Sequence, residues 1–166
     1  MDMKFIDAED EQQILRLYAL YCHAFNHGEA EAWAGLFAPD GSFTRLNAGA
    51  TQHGNFGNPA GTTRGTANLV ELAKGRREMF KGLVRHQQTD MVIEPGTDRD
   101  HARGKSFILV TDWRDGPGRL AAVGDCDAEF VRTPAGWRFA SITLSTLPRA
   151  NVQPAPSAQP SAVKAH

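Results

Sequence analysis

The second half of this chain constrains its fold most. Four strand-length stretches, Val84 to Glu94, Ala102 to Trp113, Leu120 to Arg132 and Trp137 to Leu147, follow one another with only PGTDRD, RDGPG and TPAG at the turns. Those linkers carry the Gly, Pro, Asp and Thr that tight turns demand. Successive strands joined so briefly pair antiparallel, because a parallel pairing needs a crossover of a dozen residues or more. The half before them reads as helical. Helices first and a meander after make an α+β chain. The expectation is a cone-shaped α+β barrel, with three N-terminal helices packed on a curved antiparallel sheet around an apolar cavity.

Ile14, Leu17, Tyr18, Tyr21, Cys22 and Phe25 recur at helical spacing and predict a first helix from Asp7 to Asn26. Asp7 can cap its start, Glu9, Asp10 and Glu11 suit the positive end of its dipole, and Gly28 stops it. A second, short helix presents Trp33, Leu36 and Phe37 and ends at the turn Pro39-Asp40-Gly41. Ser42 to Leu46 reads as a strand, Asn47 to Thr63 as a long glycine-containing loop of the kind that serves as a lid, and Thr66 to Lys81 as a third helix. Trp33, Phe37 and Leu109 are expected to be buried. The domain runs over 1–147. The Pro-, Ala- and Ser-rich stretch 148–166 has no apolar periodicity and reads as a disordered tail.

Composition excludes several classes. Over 166 residues the formal charge is −1 with no basic stripe, which argues against nucleic acid as a partner. No apolar run reaches the roughly 20 residues of a membrane helix, and the acidic N-terminus does not read as a secretory signal. Cys22 and Cys126 lie in apolar periodic segments, as buried free thiols of a reducing cytosol would. A cytoplasmic protein is expected. The phosphate-, dinucleotide-, zinc- and serine-hydrolase motifs are missing. His23 and His27 are four apart, but His23 lies off the apolar stripe and reads as solvated. Neither a cofactor nor a metal is expected.

One constellation suggests chemistry. Tyr21 lies in the apolar stripe of the first helix, Asn26 at its C-terminal end, and His86 opens a strand in which alternation puts His86, Gln88, Asp90 and Val92 on one face. An imidazole exchanges a proton near neutral pH, and a phenol in an apolar wall donates to a developing oxyanion. Tyr21, His86 and Asn26 are therefore the catalytic candidates, and Tyr18, Phe25, Gln88, Cys126 and Asp112 the candidate substrate contacts. Cys126 would line the cavity wall, and Asp112 is a reserve carboxylate, on the face of Ser106, Ile108 and Val110. Each also has a plainer reading: Tyr21 as a core tyrosine, Asn26 as a helix end, His86 as a satisfied structural histidine. Asp125, Asp127 and Glu129 form an alternating acid face that reads as solvated or paired with Arg132 and Arg138.

The segment LYALYCHAFNHGEAEAWAGLFAPDGSF resembles the opening of SnoaL-like proteins in the nuclear transport factor 2-like superfamily. TTRGTANL resembles their Arg-Gly helix start, RHQQTDMVIE their Arg-His strand, and VGDCDAEFVRTPAGWRFASITL their final hairpin, so that the resemblance runs from Gln12 to Leu147. The family includes scytalone dehydratase, bile-acid 7α-dehydratase, ketosteroid isomerase-like enzymes and polyketide cyclases, and also dioxygenase small subunits without an active site. The resemblance implies working groups at a helix-1 tyrosine, an aspartate near that helix end and the histidine of the Arg-His strand. Tyr21 and His86 match two of them; the third position holds Asn26. An aspartate would hold the histidine charged, whereas asparagine can only orient it, which makes His86 a neutral base.

The expected function is a cofactor-free lyase on a hydrophobic aromatic or polycyclic small molecule, by elimination of water or by retro-aldol release of a small aldehyde. A double-bond isomerase or polyketide cyclase of the same fold is the alternative, and a non-catalytic ligand-binding or assembly subunit the alternative of another class. A homodimer or homotrimer is expected.

Overall fold

The computed structural model describes residues 6–46 and 60–147. Most of the expected lid loop, and the tail 148–166, lie outside the described residues. In chain order the elements are α1 (Ala8–His27), α2 (Ala30–Ala34), β1 (Phe37–Arg45), β2 (Gly61–Arg64), α3 (Thr66–Phe80), β3 (Val84–Pro95), β4 (His101–Asp112), β5 (Arg119–Thr133) and β6 (Gly136–Thr146). One six-stranded sheet has the order β2-β1-β6-β5-β4-β3. β3 to β6 form the antiparallel meander that their short turns require. The three helices pack on one face of the curved, unclosed sheet, which is the expected α+β cone.

α1 starts where Asp7 accepts a hydrogen bond from the Glu9 backbone N–H at 2.9 Å, and it stops at Gly28, whose φ of 72° is left-handed. The face holding Ile14, Leu17, Tyr18, Tyr21 and Ala24 is buried. Asp10 ties this helix to the far end of the sheet, pairing with Arg132 of β5 and accepting from Trp137 Nε1 of β6 at 3.0 Å. Below α1, Tyr18 meets Phe130 and Phe139 edge-on, each with ring centroids 5.6 Å apart. Burying side chains of this size stabilises by about 2–3 kcal/mol each. Gly104 in β4 permits that packing: a Cβ there would stand 2.5 Å from the Tyr18 hydroxyl and 2.9 Å from the Phe130 ring.

Several details depart from the sequence expectations. β1 runs parallel to β6, so the sheet is mixed, with this one parallel pair. Phe37 is buried as expected, but it opens β1 and is not part of the second helix, and Pro39-Asp40-Gly41 lies within β1 at an irregularity in its register. Gly61 to Thr63, expected as loop, pair with β1 as β2. Leu109 is only half-buried, because the inward face of β4 is the one holding Ala102, Gly104, Ser106, Ile108 and Val110. In β3 a register shift between Thr89 and Val92, with Asp90 at φ 53°, breaks the alternation. Asp90 and Val92 are exposed, and Met91 and Ile93 turn to the core instead.

Asp125, Asp127 and Glu129 are exposed, as expected. Their partners are not the arginines expected. Arg132 goes to Asp10 and Asp100, and Arg138 donates to the Trp137 carbonyl. Lys105 stands opposite Asp127, and Arg103 opposite Glu129.

Candidate active site

His86 sits at the start of β3, facing the end of α1, and Asn26 grips it at three points. The Asn26 Nδ2 donates to the His86 carbonyl at 2.9 Å, the His86 backbone N–H donates to Asn26 Oδ1 at 2.8 Å, and the His86 ring Nδ1 lies 3.0 Å from the same Oδ1. The peptide fixes the amide's orientation, because a backbone N–H can only donate and a carbonyl can only accept. Oδ1 is therefore an acceptor for the ring as well. The ring must carry its proton on Nδ1, which leaves Nε2 with a free lone pair.

The ring is set among aromatics, with Phe25 edge-on at 5.0 Å and Phe80 at 5.6 Å. Burial, and then the positive charges of Arg45, Arg76 and Arg85, push the His86 pKa down to about 3. Asparagine adds no negative charge to oppose them. At neutral pH the imidazole is uncharged.

A small cavity of about 20 Å³ brings His86 together with Tyr21, Phe25, Trp33, Arg45 and Arg76. That is room for a single water molecule, so a larger guest enters only if the aromatic and aliphatic wall shifts. Burial holds the Tyr21 phenol protonated well above its usual range, against the opposing charge of Arg45. The Tyr21 ring packs on Trp33 at 5.4 Å and Phe139 at 5.9 Å. Trp33 Nε1 is buried with no well-formed hydrogen bond, and the Tyr21 hydroxyl is the polar group beside it. A larger hollow of about 240 Å³ shares Phe25, Phe80 and His86 with this cavity and adds Asn26, Val84 and Arg77.

The remaining candidates line neither hollow. Tyr18 is in the core with its hydroxyl buried and unbonded, and Cys126 is buried near it. Gln88 accepts from Ser106 Oγ at 2.7 Å, with its own Nε2 buried and unbonded. Burial pushes the Cys22 thiol up to about 11 and that of Cys126 up to about 12, which keeps both un-ionised. Asp112 is not the missing carboxylate. It is held by the Arg114 backbone N–H at 3.0 Å and by the Arg114 and Arg119 guanidinium groups at 2.9 and 3.3 Å. Those bonds push its pKa down to about 2. It works as a brace between β4 and the turn after it.

Sequence reasoning missed Arg45 and Arg76. The signal was there: Arg45 alternates with Phe43 on β1, and Arg76 stands midway between Leu72 and Phe80 at helical spacing on α3. An arginine inside an apolar stripe marks a site where charge is wanted. Among the described residues no group of three or more His, Cys, Asp or Glu is placed to hold a metal ion. No helix among them is long and apolar enough to cross a membrane.

The sequence profile of the SnoaL-like domain matches residues 7–143. The chain belongs to the SnoaL-like family. Solved structures share the fold of this SnoaL-like domain. One is a nuclear transport factor 2-like protein with a cystatin-like fold from Novosphingobium aromaticivorans, 23% identical, with TM-score 0.72 over 86% of this chain and 85% of that one. Another is an Asp-to-Asn variant of a protein of unknown function from Mycobacterium tuberculosis, 27% identical, with TM-score 0.68 over 84% and 76%. A third, from Catenulispora acidiphila in complex with S-DNPA, is 20% identical, with TM-score 0.65 over 84% and 95%. No curated protein matches this SnoaL-like chain.

Proposed function

We propose that this chain is a cofactor-free lyase acting on a hydrophobic aromatic or polycyclic small molecule, with His86 as proton acceptor and Tyr21 as proton donor. The SnoaL-like fold supports the coarser reading, a domain that binds, cyclises or isomerises a small molecule. The observation that carries the finer one is the Asn26 clamp. It gives His86 a single tautomer with an unprotonated Nε2, in a residue that lines the same cavity as Tyr21. In an elimination, Nε2 takes a proton from carbon, the carbon–carbon double bond forms, and the carbon–oxygen bond breaks. Tyr21 gives its proton to the departing oxygen, and water leaves. In the retro-aldol variant, Nε2 takes a hydroxyl proton, a carbon–carbon bond breaks to release the aldehyde, and Tyr21 protonates the fragment left behind.

The second reading is a binding module, and the low basicity of His86 favours it. A neutral imidazole and a neutral phenol hold a ligand's hydroxyl or carbonyl by hydrogen bonds with no proton transferred.

A screen of hydroxylated aromatic and steroid-like compounds supplies the assay. His86→Ala is expected to lower turnover by on the order of a hundredfold or more. Tyr21→Phe should lower turnover while changing stability by less than about 1 kcal/mol. Asn26→Asp should raise the apparent pKa in the pH–rate profile, because a carboxylate stabilises the imidazolium. Full activity in His86→Ala would end the lyase reading and put the binding module first.

A further inference from the structure

The three tryptophans meet the demand of the indole N–H in different ways. Trp137 Nε1 donates to Asp10 at 3.0 Å, and Trp113 is 54% exposed to water. Trp33 of α2 is fully buried, and its Nε1 has no hydrogen-bond partner among the described residues. Its ring sits among Tyr21 at 5.4 Å, Phe25 and Phe37 at 5.0 Å and Phe43 at 6.2 Å between centroids. Three of those four rings carry no acceptor atom, and a phenylalanine would join such a cluster with no donor to satisfy. A buried N–H without an acceptor costs about 1–3 kcal/mol, which marks this nitrogen as a group kept for a guest. Trp33 lines the same cavity of about 20 Å³ as Tyr21, His86 and Arg45. That is room for one oxygen-sized group. The Trp33 N–H and the Tyr21 O–H supply donors there, and His86 Nε2 supplies a lone pair. Arg45 is close enough for its positive charge to act on the Tyr21 phenol.

We infer that Trp33 Nε1 is a further catalytic donor, holding the carbonyl oxygen of a substrate that is a β-hydroxy carbonyl compound with an apolar body. This rests on the proposed function and deepens it, by giving the elimination an electron sink. It also answers a weakness in that reading. A histidine with its pKa lowered to about 3 is a poor base, and it takes a proton only from a carbon made acidic by a neighbouring carbonyl. His86 Nε2 removes that proton, and the electron pair moves through the carbon–carbon bond onto the carbonyl oxygen. The Trp33 N–H, with the charge of Arg45 nearby, stabilises the enolate so formed. The carbonyl re-forms as the double bond moves over and the carbon–oxygen bond of the β-hydroxyl breaks. Tyr21 protonates the departing oxygen, which leaves as water. The proton on His86 then returns to the Tyr21 phenolate, and both groups regain their starting forms.

The test compares acetophenone with ethylbenzene, two molecules of similar outline of which only the first has a carbonyl oxygen. Binding to the wild type is followed by the Trp33 indole N–H signal in proton–nitrogen NMR spectra. Acetophenone is expected to move that signal downfield saturably and ethylbenzene to bind at least about tenfold more weakly, a difference of about 1.4 kcal/mol. Trp33→Phe should remove most of the preference. With a β-hydroxy ketone bearing a phenyl ring as substrate, it should lower turnover on the order of a hundredfold. The wild-type spectra decide the point where that variant does not fold. Ethylbenzene binding as tightly as acetophenone overturns the inference. So does a Trp33 signal that acetophenone leaves in place at millimolar concentration. The binding measurement involves no turnover, so its failure is separate from that of the lyase reading. A protein whose Trp33 grips acetophenone but which dehydrates nothing would keep the carbonyl site and lose the reaction. One that dehydrates hydroxylated aromatics without a carbonyl, its Trp33 signal unmoved, would keep the lyase and overturn the inference.

Discussion

Between asparagine and aspartate at position 26 the shape hardly changes, but the charge on the neighbouring histidine does. The Asn26 amide satisfies both the N–H and the C=O of His86, which a carboxylate cannot do, since it has no hydrogen to give the carbonyl. The amide thereby fixes the strand, the ring and the tautomer together. One expected outcome concerns stability. An unfolded histidine titrates near 6.5 and folded His86 near 3, so between those values the unfolded chain holds more protons. This contribution is fully present above pH 6.5 and is lost as the pH falls below it, by about 1 kcal/mol per pH unit. Denaturant melts of the wild type between pH 7 and 4.5 should show that slope, and His86→Phe, which does not titrate, should lack much of it. Equal slopes in the two proteins would mean that His86 is not held neutral by the fold.

At the scale of elements, β4 approaches α1 closely at Gly104. The Tyr18 ring is pinned by Phe130 and Phe139, so its hydroxyl cannot retreat from a methyl group added at Gly104. Gly104→Ala is expected to destabilise by about 1–3 kcal/mol. Adding Tyr18→Phe in the same chain removes the colliding oxygen and should recover part of the loss in thermal melts. What was legible in the sequence follows the same local logic. The stripe on α1 and the hairpins of β3 to β6 rest on periodicity and on turns of a few residues, whereas the meeting of Tyr21 with His86, far apart in the chain, was expected from the family resemblance. The parallel pairing of β1 with β6 rests on neither, because the partners are far apart in the chain. The bulge at Asp90 depends on one residue's left-handed backbone, which no alternating pattern announces. Arg45 and Arg76 were missed because a charged residue is assigned to solvent by default, even where it stands within an apolar pattern as these two do.

For the whole molecule, the face of the sheet turned away from the helices is uneven. Towards one end it carries Phe107 at 50% and Leu120 at 57% exposure, with Val123 and Leu109 beside them. Towards the other it carries the charged rows of Arg103, Lys105, Asp127 and Glu129. An apolar patch rimmed by charge is the form an association surface takes. Light scattering at micromolar concentration is expected to give a dimer or trimer, and Phe107→Glu to give a monomer with unchanged helix content. A wild type that runs as a monomer would refute this.

The parallel pair carries one more consequence. Ser42 of β1 lies against Ser141 of β6, roughly a hundred positions later in the chain. During synthesis the first strand emerges long before its neighbour on β6 exists. The contact that joins β1 to the meander is therefore among the most distant in sequence, and contacts of such separation are slow to form. Arg45 rides on that strand. A nascent chain short of β6 therefore has His86 and Tyr21 but lacks Leu144 of the cavity lining and the neighbour that holds β1, with Arg45, in the sheet.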